Sequence, residues 1–224
     1  MNKGKLIVFE GIDKTGKTSI SKMVASKLNA FWVRQPGDKL LSDVDPVFEH
    51  LRDYCKSDND KISKLFAFLM DRSAQLNKII IPLLNKGETV ICDRWSYSTY
   101  AYQYFGEELN LIITYSTFEE MMILADRGVE PDLIFYFDKQ FKRDTEADDY
   151  FDKKGEEYKE RVLNGYEQVL RTKLQLNKVS NDGEMIDTVN DICKTINNYE
   201  KKVFYRPVSI VDHPPKMNLK DLKS

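Results

Sequence analysis

The chain has 224 residues, 42% of them hydrophobic and 31% charged, with a net charge of -2 at pH 7. It is long enough for one substantial core and slightly short for two, and its near-neutral balance argues against binding nucleic acid as a polymer. The three scattered cysteines, Cys55, Cys92 and Cys193, form no CxxC pair, and there are only two histidines, so neither a disulfide framework nor a zinc site is indicated.

The first element in chain order is a strand over 5–10 (KLIVFE). Only LIVF separates Lys5 from Glu10, so no signal peptide is expected. No apolar stretch approaches the roughly 20 residues needed to cross a bilayer, so a cytoplasmic protein with no membrane partner is expected. The strand runs into EGIDKTGKTS, where Gly11, Gly16, Lys17 and Thr18 satisfy G-x-x-x-x-G-K-[ST]. Phosphate oxygens need converging backbone N–H groups, and glycine supplies the conformations that aim them. The helix over 17–29 then presents its positive end to the same anion. Lys17 can bridge the β- and γ-phosphates of a nucleoside triphosphate, and the Thr18 hydroxyl can ligate Mg²⁺.

A second strand over 30–35 ends in Arg34-Gln35-Pro36-Gly37, where a basic residue could meet another phosphate. Helices are expected over 43–56 and 61–86. The second contains LFAFLMDRSAQ, with Phe68 and Arg72 four residues apart on one face. A base can stack on that ring while the guanidinium donates to a base carbonyl, although a phenylalanine at this position, taken alone, is more often core. The strand over 89–93 delivers Asp93-Arg94-Trp95: an acid able to hold Mg²⁺ directly or through water, and a cation whose planar fork binds two phosphate oxygens. Helices over 97–106 and 115–127, a strand over 132–138, a helix over 156–176, a weak strand over 178–181 and a helix over 184–201 complete the pattern. LIVF, VIC and LIFYF are continuous rather than alternating, as in strands buried on both faces. Such strands separated by helices imply right-handed crossovers and a parallel sheet covered on both sides. Ligands of these sheets sit beyond the carboxyl ends of the strands, where Glu10, Gln35, Asp93 and Asp138 fall. Residues 139–157 are highly charged and read as a solvated surface segment, and 202–224 as a loosely attached tail.

FEGIDKTGKTS, VRQPGD, LFAFLMDRSAQ, DRWSYSTYAYQ, EPDLIFYFD and EEYKERVLNGYEQVL, spread over about residues 5–190, together resemble the thymidylate kinase family of P-loop nucleoside monophosphate kinases. DR-x-x-x-S-x-x-A-Y-Q (Asp93, Arg94, Ser98, Ala101, Tyr102, Gln103) is the most specific of them. The resemblance, in which the tail over 202–224 has no counterpart, implies a three-layer α/β P-loop fold with a five-stranded parallel sheet and one kinase domain over 1–201 with a lid at about 139–154. It implies ATP and dTMP as substrates, Mg²⁺, dTDP as product, and a homodimer formed through helices near 43–86. By position, Gly11, Asp13, Lys14, Gly16, Lys17, Thr18 and Ser19 would surround the ATP phosphates. Asp13 would contact the 3'-hydroxyl of dTMP, Arg94 and Arg34 its phosphate, Phe68 and Arg72 the thymine. Ser98, Tyr102 and Gln103 would wall the base and sugar. Tyr102 would crowd a 2'-hydroxyl, Thr18 and Asp93 would serve the metal, and adenine would rest near 180–183.

Many relatives carry a lid arginine in D-R-x-E; Asp149-Tyr150-Phe151-Asp152 has tyrosine there. Relatives without that arginine place a basic residue in the phosphate loop, which makes Lys14 the expected catalytic cation and Arg143 a reserve. Other readings are a kinase for a 5-substituted dUMP, a deoxynucleoside kinase using Glu10 as its base, and a nucleotide-dependent switch in which Phe68, Arg72 and Tyr102 would be core.

Overall fold

The computed structural model describes residues 4–37, 39–57, 60–138, 154–179 and 183–200. Five strands, β1 (Leu6–Gly11), β2 (Phe31–Arg34), β3 (Val90–Asp93), β4 (Leu133–Phe137) and β5 (Leu176–Val179), form one sheet in the order β2-β3-β1-β4-β5, with every pairing parallel. The period of two along each strand explains the continuous apolar runs. In β1, Leu6 and Val8 point into one buried cluster while Ile7 and Phe9 point into another; in β4, Ile134 and Tyr136 oppose Leu133, Phe135 and Phe137. Both faces are therefore covered, and three layers result.

The second cluster lies beneath α1 (Lys17–Leu28) and the last helix, Met185–Asn198 (α9 here). The first lies beneath α4 (Lys61–Gln75), α5 (Ile81–Asn85), α6 (Ser96–Thr99), α7 (Tyr115–Ala125) and Glu156–Leu170 (α8). Wider π-type turns link α4 to α5 (Leu76–Ile80) and extend α6 through Tyr100–Gly106. Asp132 Oδ2 accepts the Leu6 N–H at 2.8 Å, which ties the start of β4 to the start of β1.

Three element boundaries depart from the sequence expectation. The single helix expected over 43–56 is α2 (Lys39–Val44), a 3₁₀ turn at Pro46–Phe48 and α3 (Leu51–Lys56). Pro46 cannot donate inside a helix, and the Asp45 side chain caps the new turn by accepting from Val47 N at 3.3 Å. The helix expected over 156–176 stops at Leu170, and Leu174, inside the expected span, is 97% exposed. The last strand accordingly lies two residues earlier than 178–181. Among the described residues no helix is long and apolar enough to cross a membrane.

Candidate active site

Three loops meet at the carboxyl edge of the sheet: one after β1, one after β3 and one after β2. The first turns at Gly11, whose φ is 138°; a Cβ there would meet the Phe137 carbonyl oxygen at 2.3 Å, so only glycine passes. Lys14 (φ 63°) and Gly16 (φ 77°) take left-handed conformations, and Gly16 caps α1. Lys17 is buried in the first turn of α1, where Thr18 is half-buried and Ser19 exposed. Burial and the nearby Arg94 pull the Lys17 ammonium down to about 8, against the acids Asp93, Asp13 and Glu10.

Register sets Asp93 beside Phe9. The Thr18 hydroxyl donates to Asp93 Oδ2 at 2.6 Å, and Arg34 Nε approaches the same oxygen at 3.9 Å. Asp93 Oδ1 is buried and has no hydrogen-bond partner among the described residues. A hydroxyl beside an under-used carboxylate oxygen is a hard oxygen donor set, which fits Mg²⁺. No group of three or more His, Cys, Asp or Glu that could hold a metal is present among those residues, so such an ion would take its other ligands from water and substrate phosphates.

Arg94 sits immediately after β3 at φ 77°, and this turn sends its side chain back over the phosphate loop. Nη2 donates to Asp13 Oδ1 at 2.5 Å and to the Tyr102 hydroxyl at 3.4 Å. Nη1 lies 3.1 Å from Gly11 O, 3.0 Å from Ser98 Oγ and 3.1 Å from the Tyr166 hydroxyl. Its carbon is 4.9 Å from the centre of the Tyr102 ring. Burial would raise the Asp13 carboxyl, but Arg94, Lys17 and Arg34 together hold it at about 2, so it is an anion at neutral pH.

Glu10, at 0% exposure, does not have the surroundings of a free base. Its Oε1 accepts from Trp95 N at 2.8 Å and Ser98 N at 3.2 Å, and its Oε2 from Ser98 Oγ at 2.6 Å and the Tyr166 hydroxyl at 3.1 Å. With its lone pairs committed to the start of α6, it anchors that helix to β1. This geometry disfavours a deoxynucleoside kinase that uses Glu10 for proton abstraction.

Arg72 is buried at the far end of the Phe68–Arg72 face. Nη1 donates to Gln35 Oε1 at 2.6 Å, Nη2 to Thr99 Oγ1 at 2.9 Å, and Nε faces Asp126 Oδ1 at 3.5 Å. Burial lifts the Asp126 carboxyl to about 6, partly offset by Arg72. The loop after β2 is held by the same helix: Gly37 N–H donates to Asp71 Oδ1 at 3.0 Å, and Gln75 Nε2 to Arg34 O at 2.9 Å. Phe68 itself is half-buried, whereas Tyr102 and Gln103 are buried in the π-type turn opposite. The arrangement offers a phosphate loop and a second fixed cation facing each other, with an aromatic ring and a clamped guanidinium to one side.

The sequence placed Gln35 at the end of its strand without a partner, and missed Tyr166, Thr99 and Asp126. The available signal for Tyr166 was its spacing: Tyr158, Val162 and Tyr166 share one helix face with core residues, and a buried tyrosine hydroxyl needs a polar partner. Arg143, the Asp149–Asp152 stretch, the tail over 202–224 and most of the turn near 180–183 lie outside the described residues.

A family model described as "Thymidylate kinase" matches residues 9–192. A thymidylate kinase of Prochlorococcus marinus (strain MIT 9301) is 31% identical over 217 residues, covering 88% of this chain and 97% of that protein. One from Mesomycoplasma hyopneumoniae (strain 7448) is 29% identical over 205 residues, covering 83% of this chain and 94% of that protein. Among solved structures, thymidylate kinase from Ehrlichia chaffeensis superposes with a TM-score of 0.67 at 26% identity, covering 87% of this chain and 99% of that one.

Proposed function

The chain belongs to the thymidylate kinase family, and from that premise we propose that it transfers the γ-phosphoryl group of ATP to dTMP, giving dTDP and ADP. The observation that carries this reading is the Asp13–Arg94 pair at 2.5 Å, which joins the phosphate loop to the loop after β3 and so supports a second phosphate held opposite the first. Phosphoryl transfer needs little covalent chemistry from the protein; it needs two phosphates in line, neutralised charge and excluded water.

In this reading the backbone of residues 11–18 and Lys17 hold the ATP phosphates, and Arg94 and Arg34 hold the phosphate of dTMP. Asp13, ionised at neutral pH, accepts from the sugar 3'-hydroxyl. Phe68 stacks on thymine, and Arg72 donates to its carbonyl, while Tyr102, Gln103 and Ser98 close the pocket. The dTMP phosphate is already an anion, so no general base is required. Thr18 and Asp93 would hold Mg²⁺, which when bound neutralises charge on the phosphates. Lys14 stands in for the lid arginine that Tyr150 replaces, with Arg143 in reserve.

We read the chain as one kinase domain over 1–201, with a lid at about 139–154 and a tail over 202–224, working in the cytoplasm. We also read it as a homodimer, because the α3–α4 region exposes Tyr54 (41%), Phe66 (58%) and Met70 (46%); a monomeric mass by light scattering at micromolar concentration overturns that part. The test of the activity is a coupled ADP-release assay across all nucleoside monophosphates with thymidine as a further acceptor. Saturable ADP release with dTMP is expected. Release that ignores the acceptor, or that prefers thymidine, refutes the proposal.

A further inference from the structure

One helix meets the site without having been assigned a part in it. Helix α8 begins at Glu156 and crosses the π-type turn that carries Tyr102 and Gln103. The two elements approach closely because each presents a glycine to the other. A Cβ on Gly165 would lie 3.0 Å from Ala101 Cα and 2.9 Å from Phe105 Cδ2, and one on Gly106 would lie 2.7 Å from Val162 Cγ2. That approach sinks the next residue, Tyr166, to 0% exposure, edge-on to Tyr102 and tilted against Tyr136.

The Tyr166 hydroxyl then lies within hydrogen-bond reach of four groups: Glu10 Oε2 at 3.1 Å, Gly11 O at 3.3 Å, Ser98 Oγ at 2.8 Å and Arg94 Nη1 at 3.1 Å. They come from the end of β1, the phosphate loop, α6 and the residue after β3. A phenol has one proton to give and two lone pairs to receive. Burial, with Glu10 beside it, raises this phenol well above its ordinary range, so it keeps that proton across the whole working pH range. It therefore accepts from Arg94 while donating toward Glu10, Ser98 or Gly11 O. This holds one edge of a guanidinium whose other edge is drawn to Asp13 at 2.5 Å.

We infer that Tyr166 is a positioning residue for the acceptor phosphate: it fixes the guanidinium of Arg94 in place against the pull of Asp13, and so transmits the position of α8 to the dTMP clamp. The inference rests on the proposed dTMP kinase activity. Removing the hydroxyl leaves the backbone and the aromatic packing intact, frees Nη1 from one of its three partners and lets Arg94 tilt toward Asp13. Lys17, Thr18 and Gly16 keep all their contacts, and the loop gives up one long bond, at the Gly11 carbonyl (3.3 Å), so the ATP side is affected far less than the Arg94 side.

The experiment is steady-state kinetics of Tyr166→Phe with each substrate varied in turn. A lost hydrogen bond to a charged group predicts kcat/KM for dTMP down about tenfold to a hundredfold, with KM for ATP within about twofold of the parent. A dTMP kcat/KM within twofold of the parent overturns the inference. So does a parallel rise of both KM values, the signature of general loosening. If that variant does not fold, Gly165→Ala, which displaces the hydroxyl by pressing α8 away from Ala101, gives the same dTMP-selective loss, and equal effects on both substrates overturn the inference there too. A parent enzyme without dTMP-dependent ADP release refutes the activity itself, whereas an active parent with an unaffected Tyr166→Phe refutes only the role of Tyr166.

Discussion

Raising the pH from about 7 to about 9 titrates the phosphate-loop lysine and little else around it. Burial and Arg94 bring Lys17 from its ordinary 10.5 down to about 8 in the free protein, while Asp13 at about 2 stays ionised and the Tyr102 and Tyr166 phenols are pushed upward out of range. ATP binds the charged ammonium, so binding raises the lysine pKa. Affinity is then flat below about 8 and falls as pH climbs above it. With a free-state value of about 8, the protonated fraction falls about tenfold between pH 7 and pH 9, which is about 1.4 kcal/mol of binding free energy. The sign for folding is opposite. A lysine depressed in the folded state disfavours folding below about 8, and that penalty is relieved as pH rises from about 8 toward 10.5. The assay is isothermal titration of a non-hydrolysable ATP analogue at both pH values and fixed Mg²⁺, in two buffers of different ionisation heat. At pH 8 about half a proton should be taken up per analogue bound. An affinity ratio under about threefold, or a ratio that survives Lys17→Met, refutes the reasoning.

The remaining prediction concerns the other loop lysine. Lys14→Ala should lower kcat by about a hundredfold, the scale of losing one charge-stabilising group in a transition state, with KM for dTMP little changed. Arg143→Ala should cost far less, and near-normal turnover of the Lys14 variant sinks the assignment.

The three layers were legible because burial on both faces leaves an unbroken apolar run, as LIVF and LIFYF show, whereas the strand order β2-β3-β1-β4-β5 came only with the structure. The phosphate loop was legible because its glycines answer to local backbone geometry, visible in Gly11 and Gly16. Element ends were not: Pro46 split one helix, and another stopped at Leu170 inside a span expected to run to 176. Within the candidate site, charged and aromatic residues could be nominated from spacing: Phe68 and Arg72, or Asp93 and Arg94. Those contributing through a buried hydrogen bond across the fold could not. Nothing local to Tyr166 says that its hydroxyl reaches Glu10, 156 residues earlier. Nor does the DRW sequence disclose that Arg94 turns back through a left-handed backbone.

Lys14 gives the left-handed loop one more consequence. At φ 63° a side chain strains the backbone by about 1 kcal/mol relative to glycine, which takes such angles freely. A thermostability screen at this position would therefore reward Lys14→Gly, a more heat-resistant chain stripped of the cation assigned to transfer. Melting temperature and turnover would move in opposite directions at a single side chain, so one library of substitutions there would trace a stability–activity trade-off in miniature.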